Sequence, residues 1–123
     1  MNANTVNSAF ESRFYAAPEI TVRAPGRINL IGEHTDYNGG FVLPAAIDKA
    51  IWLAAGKRAD GRFAFYALDL DDYFLSDDAG TVFQEQHKWA NYLLGVISEA
   101  RKDGLPIGGL NVVFGGDVPL APG

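Results

Sequence analysis

The chain contains no cysteine. That excludes a disulfide framework and any thiolate-ligated metal centre. Nor is there an excess of positive charge: ten Lys and Arg stand against fifteen Asp and Glu, a formal net charge of −5. Nucleic-acid backbones and anionic bilayers reward clustered Lys and Arg, so neither nucleic acid nor a membrane surface is an expected partner. No apolar run approaches the ~20 residues that a membrane-spanning helix needs. Residues 1–8 lack the basic start and apolar core of an export signal, which makes the cytoplasm the expected compartment. Internal repeats, heptads and low-complexity tracts are missing too. What is present is 48% hydrophobic residues in 123, enough for one domain with a real core.

Local patterning divides the chain into short elements. Residues 8–17 read as an amphipathic helix, with Ser8 as N-cap, Phe10, Phe14 and Tyr15 near one stripe, and Pro18 as the stop. Residues 19–23 alternate apolar and polar, as a half-buried strand does. Residues 28–31 form a short apolar run. Residues 41–46 and 50–55 look like two strands parted by Asp48 and Lys49, polar residues at strand ends. Asp60-Gly61 signals a hairpin between residues 51–57 and 62–68.

The acidic stretch 69–78 reads as an exposed turn and edge strand, without carboxylate spacing that demands a metal. Residues 87–103 carry a helical stripe of Trp89, Tyr92, Leu93, Val96, Ile97 and Ala100, ended by Gly104 as C-cap with Pro106 beyond. Trp89 and Tyr92 are read there as core residues rather than sugar-stacking platforms. Residues 110–114 are β-rich and turn residues follow. The sum is an α+β domain: one mixed β-sheet with covering helices.

Chemistry concentrates between Ala24 and Pro44. Arg27, Asn29, Glu33, His34, Asp36, Tyr37 and Asn38 lie within a dozen residues, punctuated by glycine. So many hydrogen-bonding side chains on a turn-rich segment make a poor core. They are well suited to a polyol, whose hydroxyls each need a donor and an acceptor in fixed geometry. The glycines let the backbone come close to a ligand.

Residues 26–38, Gly-Arg-Ile-Asn-Leu-Ile-Gly-Glu-His-Thr-Asp-Tyr-Asn, resemble the galactokinase signature of the GHMP sugar kinases without a break. The similarity continues through residues 41–44, 47–49, 89–92 and 95–96. The resemblance implies the N-terminal GHMP-kinase domain, akin to a domain of ribosomal protein S5, and a kinase that makes galactose 1-phosphate from D-galactose and ATP with Mg²⁺. It places Arg27 beside the attacking hydroxyl and the transferred phosphoryl group, and gives Glu33, His34 and Asp36 the sugar hydroxyls. A guanidinium suits the first role because it stabilises charge on phosphoryl oxygens; an ion pair with a neighbouring carboxylate is the alternative.

Other readings stay open at this point: a sugar-binding sensor without turnover, a related kinase of N-acetylgalactosamine or arabinose, or a carbohydrate-binding module with an acidic loop. Thr35 and Asn38 favour the galactose branch. The family's glycine- and serine-rich phosphate loop is expected just after residues 116–120, where this chain reads Ala121-Pro122-Gly123. The resemblance therefore implies a single incomplete N-terminal domain over residues 1–123. Within it, residues 1–18 are a helix and lead-in and residues 24–44 the signature loop. The ATP loop would lie beyond Gly123, and the chain alone would be inactive. Apolar surface left uncovered by an interrupted sheet would favour self-association.

Overall fold

The computed structural model describes residues 1–32 and 38–119. In chain order these form α1 (Ala3–Phe14), β1 (Ile20–Asn29), β2 (Pro44–Lys57), β3 (Phe63–Ala67), a 3-10 turn (Leu68–Leu70), β4 (Asp72–Leu75), α2 (Ala90–Lys102) and β5 (Leu110–Gly116). The strands make one five-stranded sheet in the order β1-β2-β5-β3-β4. β5 runs antiparallel to β2 and parallel to β3, so the sheet is mixed, as expected.

Strand alternation sends neighbouring residues to opposite faces, and each face takes one helix. On one, Val6 and Phe10 of α1 pack with Ala54 and Val113. On the other, Ala90, Leu94 and Ile97 of α2 pack with Ala55, Phe63, Phe65, Phe74 and Val112. Ala54 and Ala55 face Val113 and Val112 across the β2–β5 ladder, which is how one strand pair feeds both cores. β5 is apolar on both sides because it is covered on both sides.

Several local expectations are corrected. The first helix begins earlier than residue 8. Asn2 is its N-cap, its side chain accepting from the Thr5 N–H at 3.1 Å while the Thr5 hydroxyl accepts from the Asn2 N–H. This reciprocal box satisfies two otherwise orphaned donors and leaves Ser8 in mid-helix. The helix ends before Pro18, at Tyr15, whose left-handed backbone (φ 57) sends its N–H back to the Glu11 carbonyl. Tyr15 is exposed rather than on the packed stripe.

Residues 44–57 form one strand, not two. At the Asp48-Lys49 break the ladder slips: Pro25 faces Ala50 but Arg27 faces Ala46, leaving Gly26 against residues 47–49. The Asp60-Gly61 turn exists, with Gly61 at φ 78 and the Asp60 carboxylate accepting from the Arg62 N–H at 3.0 Å. No hairpin follows from it, because β5 inserts between β2 and β3. The long helix keeps its C-terminal signal: the Gly104 and Leu105 N–H groups bond to Arg101 and Ala100 carbonyls, a Schellman closure with Gly104 at φ 91. Tyr92 and Val96 are exposed, not core. α2 turns Ala90, Leu94 and Ile97 to the sheet instead.

Candidate functional site

The sequence-implied site lies where β1 leaves the sheet. Beyond Asn29 the chain stays paired to its return, the Leu30 N–H bonding to the Leu43 carbonyl at 2.9 Å and the Leu43 N–H to that of Ile31 at 3.0 Å. These bonds close the base of the loop that carries most of the polar signature. Glu33, His34 and Asp36 lie outside the described residues.

Arg27 is described: it sits on β1 opposite Ala46, just past the register slip, and is exposed. Among the described residues the ion pairs join Arg58 to Asp60, His87 to Asp72 and Lys102 to Glu99, so Arg27 is committed to none. Its sequence neighbour Gly26 is closely approached by two apolar side chains. A Cβ at Gly26 would stand 3.2 Å from Val118 Cγ2 and 3.3 Å from Ile47 Cδ1.

Asn29, two residues along the same strand face, holds the one buried side-chain polar atom without a hydrogen-bond partner among the described residues, its Oδ1. An unpaired buried acceptor costs roughly 1–3 kcal/mol.

A cavity of about 550 Å³ adjoins this corner, with mainly apolar walls from Ile51, Trp89, Tyr92, Leu93, Phe114 and Val118. Val118 is shared: it lines the cavity and abuts Gly26. An aromatic row leads to it across the α2 face, from Phe65 through Phe74, His87 and Trp89 to Phe114, with successive ring centroids 5.7–6.3 Å apart. Two carboxylates brace the corner. Asp69 accepts from the Gly116 N–H at 2.9 Å, and Asp117 accepts from the Ala50 N–H at 2.8 Å. The Ala50 N–H, with a lesser pull from Lys49, holds the Asp117 carboxyl below its ordinary pKa.

A family model described as the galactokinase galactose-binding signature matches residues 8–57. Among solved structures, Lactococcus lactis galactokinase complexed with galactose is similar over 94% of this chain, with 32% identity and a TM-score of 0.79. The chain corresponds to a galactokinase N-terminal portion, within the GHMP kinases. It spans 31% of the lactococcal chain. Methanococcus jannaschii mevalonate kinase shares the fold over 83% of this chain, with a TM-score of 0.68 at 16% identity, and the chain spans 33% of it.

Within this galactokinase portion, sequence reasoning singled out Trp89, Tyr92 and Leu93 but passed over the other residues of the cavity. Val118 and Phe114 carry no polar signal, and Asp72 looked like one more acid in an exposed stretch. Asp72 in fact accepts from the Trp89 indole N–H at 2.7 Å and sits 3.0 Å from His87 Nδ1. Those two donors, the indole first, hold its carboxyl below the ordinary range. Trp89 packs against the α2-side core, as expected, and also walls the cavity; Tyr92 walls the cavity while exposed. Among the described residues no group of three or more His, Asp or Glu is placed to hold a metal ion. No helix of the described residues is long and apolar enough to cross a membrane.

Proposed function

We propose that the protein to which this chain belongs is a galactokinase, transferring the γ-phosphoryl group of ATP to D-galactose to give galactose 1-phosphate. The observation that carries this reading is the galactose-binding signature over residues 8–57. In this reading Glu33, His34 and Asp36 grip sugar hydroxyls through charge-assisted and bidentate hydrogen bonds. Arg27, exposed and outside the ion pairs of the described residues, stands beside the hydroxyl that attacks. The sugar's C1 oxygen bonds to the γ-phosphorus as the bond from that phosphorus to the bridging oxygen of ADP breaks. The hydroxyl proton passes to a base supplied from outside residues 1–123. The Arg27 guanidinium lowers the cost of charge on the phosphoryl oxygens.

The neighbouring cavity supports ATP as the donor. Its aromatic and aliphatic walls suit a flat base, and Val118 joins it to the strand that bears Arg27. Mg²⁺, where bound, would supply charge neutralisation on the phosphates.

The test is a titration of this chain with D-galactose, with D-glucose as control, followed by NMR on the Trp52 and Trp89 signals and the backbone amides. Galactose-selective shifts that disappear in Asp36→Ala are expected. A folded sample that ignores both sugars would refute sugar recognition by these residues. With ATP and Mg²⁺ added, residues 1–123 alone are expected to make no galactose 1-phosphate.

A further inference from the structure

We propose that Asp72 is a positioning residue: with His87 it fixes the indole of Trp89 as a wall of the cavity, and so sets how tightly the cavity grips a flat heteroaromatic ring. The affinity part rests on the nucleotide reading of the cavity given above. The orientation part stands on geometry alone.

Trp89 is half-buried and packs on the α2-side core at the edge of the cavity. It occupies the N-cap position of α2, where no side chain caps the helix. Its ring meets Phe114 at 5.7 Å and His87 at 6.3 Å between centroids, the latter edge-on at 77°. Hydrophobic burial is non-directional, and the tilted and edge-on ring pairings add only a modest orientational preference. The indole has a single N–H donor, and that donor ends on Asp72 Oδ2 at 2.7 Å. This bond is the directional element of the set. Rotating the ring would break it and carry the polar edge toward the apolar cavity.

Asp72 is placed well for the task. It opens β4 opposite Ala67, itself a cavity residue, so the carboxylate is carried by the sheet rather than by a loop. The same Oδ2 lies 3.0 Å from His87 Nδ1, which ties the carboxylate from a second side. A bond between an ionised acceptor and a fixed donor is short and stronger than a neutral one. Trp52, the other tryptophan, packs with the α1-side cluster and lies under the Arg23 guanidinium at 5.8 Å. It serves as an internal reference that Asp72 should not affect.

The experiment compares indole N–H signals of the chain with those of Asp72→Ala, Asp72→Asn and His87→Gln, then titrates each with adenosine. In Asp72→Ala the Trp89 indole signal is expected to move toward the position of a free indole while Trp52 stays. Adenosine affinity should fall by up to about tenfold, because the ring is then in its gripping orientation only a fraction of the time and binding must restore it. Asp72→Asn retains an acceptor oxygen and should recover much of that affinity, whereas a merely structural role would leave Trp89 and affinity insensitive to the difference. If Asp72→Ala does not fold, Asp72→Asn and His87→Gln carry the same comparison, with smaller displacements of Trp89 alone expected. An unmoved Trp89 signal overturns the orienting role, and unchanged adenosine affinity with a displaced indole overturns its consequence. Absence of any adenosine response at Trp89 and Tyr92 in the unsubstituted chain overturns the nucleotide reading and the affinity claim, while the ligand-free indole signals still decide the orientation claim.

Discussion

Placing one methyl group at two different glycines should have opposite effects on stability. Gly116 closes β5 opposite Ile51. A Cβ there would lie 2.8 Å from Ile51 Cα and 2.7 Å from Ile51 Cδ1, and closer still to the Ala50 carbonyl oxygen. Two of those three atoms are backbone of the neighbouring strand, so the clash is relieved only by parting β2 from β5. Overpacking of a fixed site costs roughly 1–3 kcal/mol, and backbone contacts argue for the upper end. Parting the strands also strains the 2.9 Å bond from the Gly116 N–H to Asp69, worth about 1 kcal/mol more. Gly116→Ala is therefore expected to destabilise by about 3–4 kcal/mol. Gly95 lies in α2, exposed, with nothing within 4 Å of its would-be Cβ. There the helix propensity difference decides, and Gly95→Ala should stabilise by about 1 kcal/mol. For a domain of this size each kcal/mol moves Tm by roughly 4 °C, so the variants should melt about 4 °C above and more than about 10 °C below the parent chain. Urea and thermal unfolding by circular dichroism would measure both. A Gly116→Ala variant within about 1 kcal/mol of the parent would refute the close β2–β5 approach, and an unstabilised Gly95→Ala would refute the open helical site.

Acid should weaken the fold. Asp60, paired with Arg58 and the Arg62 N–H, is held down to about 2, and Asp72 and Asp117 are also lowered. Groups depressed in the folded state contribute stability above their unfolded pKa near ~3.9 and lose it as pH falls through the folded values. The urea midpoint is expected to hold between pH 7 and about 5 and to drop between about 4 and 2, less steeply in Asp117→Asn; a constant midpoint down to pH 2 would contradict this. Asn29→Ala removes the unpartnered buried oxygen, so its stability should stay within about 1 kcal/mol of the parent while galactose-induced shifts diminish. A loss above about 2 kcal/mol would show that Asn29 is paired in the fold after all.

How much of this was legible depends on how far apart in the chain the deciding contacts lie. The C-terminal half of α2 was readable because Gly104 and the preceding stripe are adjacent. The polar signature was readable because its residues are contiguous. The face of α2 was not, since its apolar residues span more of the circumference than the sheet covers. Ala90, Leu94 and Ile97 took the sheet, which left Tyr92 81% and Val96 71% exposed. The hairpin failed for a related reason. Asp60 and Gly61 do turn the chain, but whether the flanking strands pair is decided by residues 110–116, some fifty positions away. The cue was the unbroken run Val112-Val113-Phe114, which suits a strand buried on both faces and so belongs in mid-sheet rather than at an edge. The candidate site divides in the same way. The residues proposed to grip the sugar sit in one stretch, whereas the cavity is assembled from β2, β3, α2, β5 and Val118, with Asp72 of β4 behind its tryptophan. No window of the sequence contains that assembly, so a carboxylate that orients an aromatic wall read as one more surface acid.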